Sequence, residues 1–240
     1  MHGRDGNLPP PTGGGYGEGD DTVKVEIWSD VVCPWCYIGK RRFERALRYF
    51  EHQDEVEIEW RSFELDPEAP RRSAVNTIER LATKYRVSRE QAVAMTDRVT
   101  KLAAEEGLVY RLDVAQQGNT LDAHRLLHLA TERGRQEALE ERLFRAYFTE
   151  AEPIGQPEAL VRLAAEAGLD ASEARAVVEG EAYTDQVRAD QQVAAELGIE
   201  GVPFFVIDRR LGVSGAQSSD VLLQALRRAW AESQPTLVQS

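Results

Sequence analysis

Strand-like sequence sits at the two ends of this chain and helix-like sequence fills its middle, which limits the folds open to it. Val23-Lys24-Val25-Glu26-Ile27-Trp28 alternates apolar and polar positions and is rich in β-branched side chains, the pattern of a strand. Residues 34–50 carry Phe43, Leu47 and Phe50 at helical spacing, with Arg41, Arg42, Glu44, Arg45 and Arg48 opposite, so an amphipathic helix with a solvated charged face is expected. Residues 56–63 alternate again and make a second strand. The spacing then predicts helices over 76–85, 88–106, 120–132, 136–149, 158–167, 172–179 and 183–197. Ser88 followed three positions later by Gln91 is a capping signature, and Gly107 and Gly198 are stop signals. Strand character returns in 204–208 and 211–216, a hairpin turning at Arg209-Arg210, and a last helix spans 219–231. An α/β fold follows: strand–helix–strand, a large all-α insert between the second and third strands, then hairpin–helix. Its ends must meet in one sheet, with a right-handed crossover between the first two parallel strands. The expected division is a disordered tail at 1–21, an α/β domain made of 22–66 and 199–232, an inserted helical domain at 67–198, and a short tail at 233–240.

Both cysteines of the chain fall at the first strand-to-helix junction, in Cys33-Pro34-Trp35-Cys36. A strand that delivers a Cys-x-x-Cys pair onto the first turn of a helix is a redox arrangement. The thiolate is the reacting species, and unpaired N–H groups and the positive end of the helix dipole stabilise it. Cys33 is expected as the exposed nucleophile and Cys36, one turn in, as the sheltered resolving thiol. Pro34 suits the first helical position, where its missing N–H costs nothing. Three other readings compete. A lone short-loop structural disulfide would stabilise so long a chain little. A zinc site would need His124 and His128 as its other half, far along the chain. Two core cysteines fit poorly with a strand-then-proline context.

The net charge of −12 argues against nucleic acid or an anionic membrane as partner. No run of 18 apolar residues would cross a bilayer. The chain opens on a Pro- and Gly-rich polar stretch with no apolar signal core, so the cytoplasm is the expected compartment, where a disulfide is catalytic and transient rather than structural.

Three features occur in order: Cys33-Pro34-Trp35-Cys36 at a strand–helix junction, a helical insert, and Gly201-Val202-Pro203 before the third strand. Together they resemble the thioredoxin superfamily, and specifically DsbA-like thiol–disulfide oxidoreductases. The FrnE-type branch is matched by Asp30 through the Cys-Pro-Trp-Cys-Tyr-x-Gly run ending at Gly39, and by Asn119-Thr120-Leu121-Asp122-Ala123-His124-Arg125-Leu126. The resemblance implies a thioredoxin fold carrying the insert, and a cis Val202–Pro203 bond that sets the Val202 backbone against the sulfurs. A substrate segment could then pair with that backbone as an added strand. It also implies exchange of disulfides with protein or small-molecule thiols through a redox-active Cys33–Cys36 pair. No bound cofactor or metal is implied, and glutathione or a thioredoxin system is the candidate redox partner. The oligomeric state, monomer or homodimer, is left open. The superfamily also holds kappa-class glutathione transferases and chromene-carboxylate isomerases, typically with a Ser-Pro pair at the nucleophile. Cys33 departs from that pattern, which favours dithiol chemistry over the alternative, a glutathione-dependent isomerase or transferase acting on a small apolar molecule.

The remaining candidates are weighed against plain structural roles. Asp30 is either a proton acceptor near Cys33 or a solvated turn residue. Trp35 is expected to line a substrate groove and Tyr37 to be core. His124 either carries a proton in the cleft or is a hydrogen-bonded seam residue, the latter favoured. Asn119 and Thr120 are expected to cap their helix first and contact ligand second.

Overall fold

The computed structural model describes residues 6–7, 22–71, 75–116 and 118–233. The first long strand, β2 (Val23–Ser29), pairs in parallel with β3 (Val56–Ser62), Ile27 opposite Trp60, and the helix α1 (Pro34–Arg48) makes the crossover. On its other edge β2 pairs antiparallel with β4 (Phe204–Ile207), which turns into β5 (Leu211–Ser214). A two-residue strand β1 (Gly6–Asn7) pairs antiparallel with β5, so the order is β1-β5-β4-β2-β3. That pairing corrects the expected 1–21 tail at those two positions; the rest of it, and 234–240, lie outside the described residues, while Ser233 still belongs to the last helix, α9 (Ser219–Ser233).

The alternation of β2 decides which layer each residue joins. Val23, Val25 and Ile27 point to one face, where they pack with Phe43 and Ala46 of α1 and Leu222 and Leu226 of α9. Trp28 points to the other face and packs with Val206 and the helix α8 (Thr184–Glu196), where its indole N–H donates to the Asp190 carbonyl at 3.0 Å. Glu26, on that same face and buried, is held by Arg61 and Arg209.

Between β3 and β4 run α2 (Thr77–Tyr85), α3 (Arg89–Glu105), α4 (Leu121–Glu132), α5 (Gln136–Phe148), α6 (Pro157–Glu166), α7 (Ala171–Glu179) and α8. The Ser88–Gln91 capping box is formed in full, with Gln91 N–H donating to Ser88 Oγ at 3.2 Å and Ser88 N–H to Gln91 Oε1 at 2.9 Å. Just past the end of α3, Gly107 takes φ +77°, a conformation that side chains rarely adopt. The core of the insert includes Val31, Cys33, Cys36 and Ile38, so it is continuous with the redox loop. Charges bind the two parts as well. Arg42 and Arg45 of α1 both grip Glu106, and Arg41 grips Glu141 of α5. Of the α1 face expected to be solvated, Arg41, Arg42 and Arg45 are therefore spent on these clasps, because the insert folds back over them, while Arg48 stays exposed.

Candidate active site

Cys33 is the N-cap of α1, with extended backbone (φ −85°, ψ 113°), and Pro34 holds the first helical position as its sequence context predicts. The N–H of Cys36 closes the first turn on the Cys33 carbonyl at 3.0 Å, and the Cys33 N–H bonds to the Asp30 carbonyl at 2.9 Å. Both sulfurs are free thiols. The Cys33 thiol donates to the Val202 carbonyl at 3.4 Å, and the Val202–Pro203 bond is cis. Gly39 lets this approach happen: a Cβ there would lie 2.9 Å from Pro203 Cγ.

Cys33 is not the exposed nucleophile expected. It is 3% exposed, against 1% for Cys36, because the Val202 loop and the insert close over it. Its access is instead from a cavity of about 790 Å³, walled by the active-site turn and Val202 on one side and by α2 and α3 on the other. Trp35 is 40% exposed and lines that cavity, as expected. Tyr37 is core: its ring stacks on Phe144 at 4.8 Å and its hydroxyl donates to Glu141 at 2.6 Å.

Behind Cys36 lies a buried polar cluster that the sequence did not announce. Burial and the neighbouring Cys33 push the Cys36 thiol well above its usual pKa, against the smaller opposing pulls of the Asp30 backbone and the Ser29 side chain. Ser29 in turn donates to Glu140 Oε1 of α5 at 3.1 Å. Glu140 is 1% exposed, and that burial pushes its carboxyl up to about 7 against the opposing pulls of His124, Ser29 and Lys40. Sequence reading missed Glu140, yet a signal was there. Positions 140, 143, 144 and 147 fall on one helical stripe, so a carboxylate occupies a core position among Leu143, Phe144 and Tyr147.

Asp30 belongs to this cluster and is fully buried, not a solvated turn residue. It braces the loop: Oδ2 accepts from Leu65 N–H at 2.8 Å and Oδ1 from Val32 N–H at 3.4 Å. His124 lies at the seam and is absent from the cavity wall, with Nε2 3.5 Å from Asp30 Oδ1 and neither ring nitrogen in a formed hydrogen bond. Burial opposes charge on its ring, but the carboxylates of Asp30, Glu140 and Glu64 outweigh it and raise the imidazole pKa. Its neighbour on the next turn, His128, is engaged by Ser62 at 3.1 Å and Asp190 at 3.2 Å. Asn119 caps α4 through Leu121 N–H at 2.9 Å and ties it to the Pro67 carbonyl at 3.0 Å. Thr120, expected to share that capping, makes no side-chain cap.

This geometry can be set beside known proteins. The model of the DSBA-like thioredoxin domain family matches residues 24–227. The chain belongs to the DsbA-like thioredoxin domain family. A probable DsbA oxidoreductase from Streptomyces coelicolor, known as a crystal structure, is 51% identical, with 91% of this chain and 94% of that chain covered and a TM-score of 0.86. The uncharacterised protein YwbO of Bacillus subtilis (strain 168) is 31% identical over 207 residues, 85% of this chain and 96% of YwbO. The cytosolic disulfide reductase DsbM of Pseudomonas aeruginosa shares the fold, with a TM-score of 0.57 at 18% identity over 87% of this chain and 96% of that one. Among the described residues, no helix of this DsbA-like chain is long and apolar enough to cross a membrane.

Proposed function

We infer that this protein is a thiol–disulfide oxidoreductase acting through Cys33-Pro34-Trp35-Cys36 on protein or small-molecule thiols and disulfides. The observation that carries the reading is the placing of the two sulfurs. Cys33 is at a helix N-terminus facing a cavity and the Val202 carbonyl, and Cys36 is buried one turn behind it against Ser29. In the reducing direction, the Cys33 thiolate attacks one sulfur of a substrate disulfide. That bond breaks, the first substrate sulfur leaves as a thiolate, and a Cys33 mixed disulfide forms. Cys36 then loses its proton through the Ser29 hydroxyl to the Glu140 carboxylate. Its thiolate attacks the Cys33 sulfur and releases the second substrate thiolate, leaving the Cys33–Cys36 disulfide. A carboxyl near 7 is suited to that task, since about half its population can accept a proton at neutral pH. Asp30 and His124 act as positioning residues that hold the loop and the local charge.

The stretches ending at Gly39 and Leu126 support a place in the FrnE-type branch. The cytoplasm is the proposed compartment, because the only two cysteines are those of the active site and no structural bridge calls for an oxidising one. Glutathione or a thioredoxin system would then return the pair to its starting state. The size of the cavity favours one second reading, a glutathione-dependent isomerase or transferase for a small apolar molecule.

Insulin reduction separates the two. Cys36→Ser is expected to accumulate a one-to-one mixed disulfide at Cys33 and to stop turning over, and Cys33→Ser to form none. Turnover by Cys36→Ser that requires glutathione would move the second reading to first place.

A further inference from the structure

The cavity in front of Cys33 carries a charge opposite to that of the protein. The chain has a net charge of −12, yet the cavity wall contains Arg80, Lys84 and Arg98 and no aspartate or glutamate. Arg80 is committed to Asp66. Lys84 and Arg98 are exposed at the rim and have no carboxylate partner among the described residues; the Lys84 ammonium lies 5.9 Å from the centre of the Tyr85 ring. Apart from Thr77 and Thr96, the rest of the side chains lining the wall are apolar or aromatic. Three of the large exposed hydrophobic side chains, Trp35 (40%), Tyr85 (53%) and Met95 (41%), are gathered here. A volume of about 790 Å³ is within the usual span of sites for small organic ligands.

We propose that this cavity is a selective site for a low-molecular-mass disulfide or thiol that joins an apolar or aromatic body to at least one carboxylate. The proposal rests on the thiol–disulfide reading and names its substrate class. The apolar body lies between Trp35, Met95 and Val99, the carboxylate reaches Lys84 and Arg98, and the sulfur meets Cys33. The step is the exchange described above. Two electrons pass from the Cys33–Cys36 dithiol to the substrate disulfide, two substrate thiolates leave, and the two protons go to solvent by way of the buried relay and the cavity. Opposite charge at the mouth of a low-dielectric cleft raises both the local concentration and the encounter rate of an anion.

The test uses the fully reduced, full-length protein and three small disulfides: 5,5′-dithiobis(2-nitrobenzoate), which is aromatic and anionic, 4,4′-dithiodipyridine, which is aromatic and neutral, and cystamine, which is cationic. Each second-order rate constant is divided by that of the same reagent with the mercaptoethanol thiolate, which removes intrinsic reactivity. The normalised rates are expected to fall from anion to neutral to cation, with the spread shrinking as salt is added. The double variant Lys84→Glu/Arg98→Glu is expected to lower the anionic-to-neutral ratio by about tenfold or more. Arg175→Glu makes the same kind of charge change on α7, which contributes nothing to the cavity wall, and is expected to leave that ratio alone. An unchanged ratio in the double variant, with all reagents still reduced through Cys33, overturns the charge-selective site and leaves the oxidoreductase reading standing. Failure of the wild-type protein to reduce any of the three overturns both.

Discussion

Glu140→Gln is expected to make the protein more stable above neutral pH and slower at resolving its mixed disulfide. Both effects come from one buried carboxyl. Its pKa rises from an ordinary 4.5 to about 7 on folding, because burial disfavours its charge. The folded state therefore holds the proton more tightly than the unfolded chain. The stability tied to that proton is fully present below 4.5 and is lost as the pH climbs through about 7. The shift corresponds to about 3 kcal/mol. Glutamine keeps an oxygen for the Ser29 hydroxyl but never takes on the charge. The difference in unfolding free energy between variant and wild type is thus expected to grow between pH 4.5 and 7 and then level off. His124 is raised in the same direction, partly by the Glu140 carboxylate, so the variant also loses that part of the His124 shift and the difference carries both groups. The kinetic cost falls on the second step, where the Cys36 proton loses its acceptor. Release of the second thiolate from a preformed mixed disulfide should slow by about 100-fold, the low end of general acid–base contributions. Its pH–rate profile should lose the rise near 7. A variant with wild-type kinetics and an unaltered inflection would remove Glu140 from the relay.

Arg125→Met is expected to cost about 3 kcal/mol, the lower end for breaking a buried ion pair. The guanidinium is 2% exposed and is the hub that fixes α4 to the turn between α7 and α8. Nε donates to the Ala182 carbonyl at 2.7 Å, Nη1 to Asp122 at 2.8 Å, and Nη2 to the carbonyls of Val177 and Gly180. Methionine fills much of the volume but leaves three carbonyls without donors, that of Val177 buried and those of Gly180 and Ala182 partly so. Asp122 keeps one partner, Arg71, at 2.9 Å, which is why the cost stays at the lower end. For a chain of this size the melting temperature should drop by on the order of 10 °C. A loss below about 1 kcal/mol would mean that water satisfies those carbonyls and that the hub is not needed.

These two residues also show where sequence stops being informative. The order of strands and helices was legible because period and capping are local: the β2 alternation, the Ser88–Gln91 box and the Cys33-to-Cys36 junction each lie within a few residues. The Val202 loop came from resemblance, not from periodicity. What could not be read was the pairing of buried charge across the chain. Ser29 meets Glu140, Arg61 meets Asp190 and Arg42 meets Glu106, all at long separations in sequence. A charge on an apolar stripe, such as Lys40 between Cys36 and Phe43 or Glu140 before Leu143, marks that a distant partner exists without naming it. The concealment of Cys33 has the same origin, because it depends on how α2 and α3 close over a turn far from them in the chain.

The most direct test of the whole account is the redox couple itself. The protein is equilibrated in glutathione buffers of graded poise, quenched, alkylated, and its free thiols at Cys33 and Cys36 are counted. One reversible two-electron transition is expected, in which both thiols vanish together, with its midpoint giving the direction of exchange in the cell. Two thiols that remain alkylatable at every poise, or a Cys33–glutathione adduct that Cys36 never resolves, would contradict it.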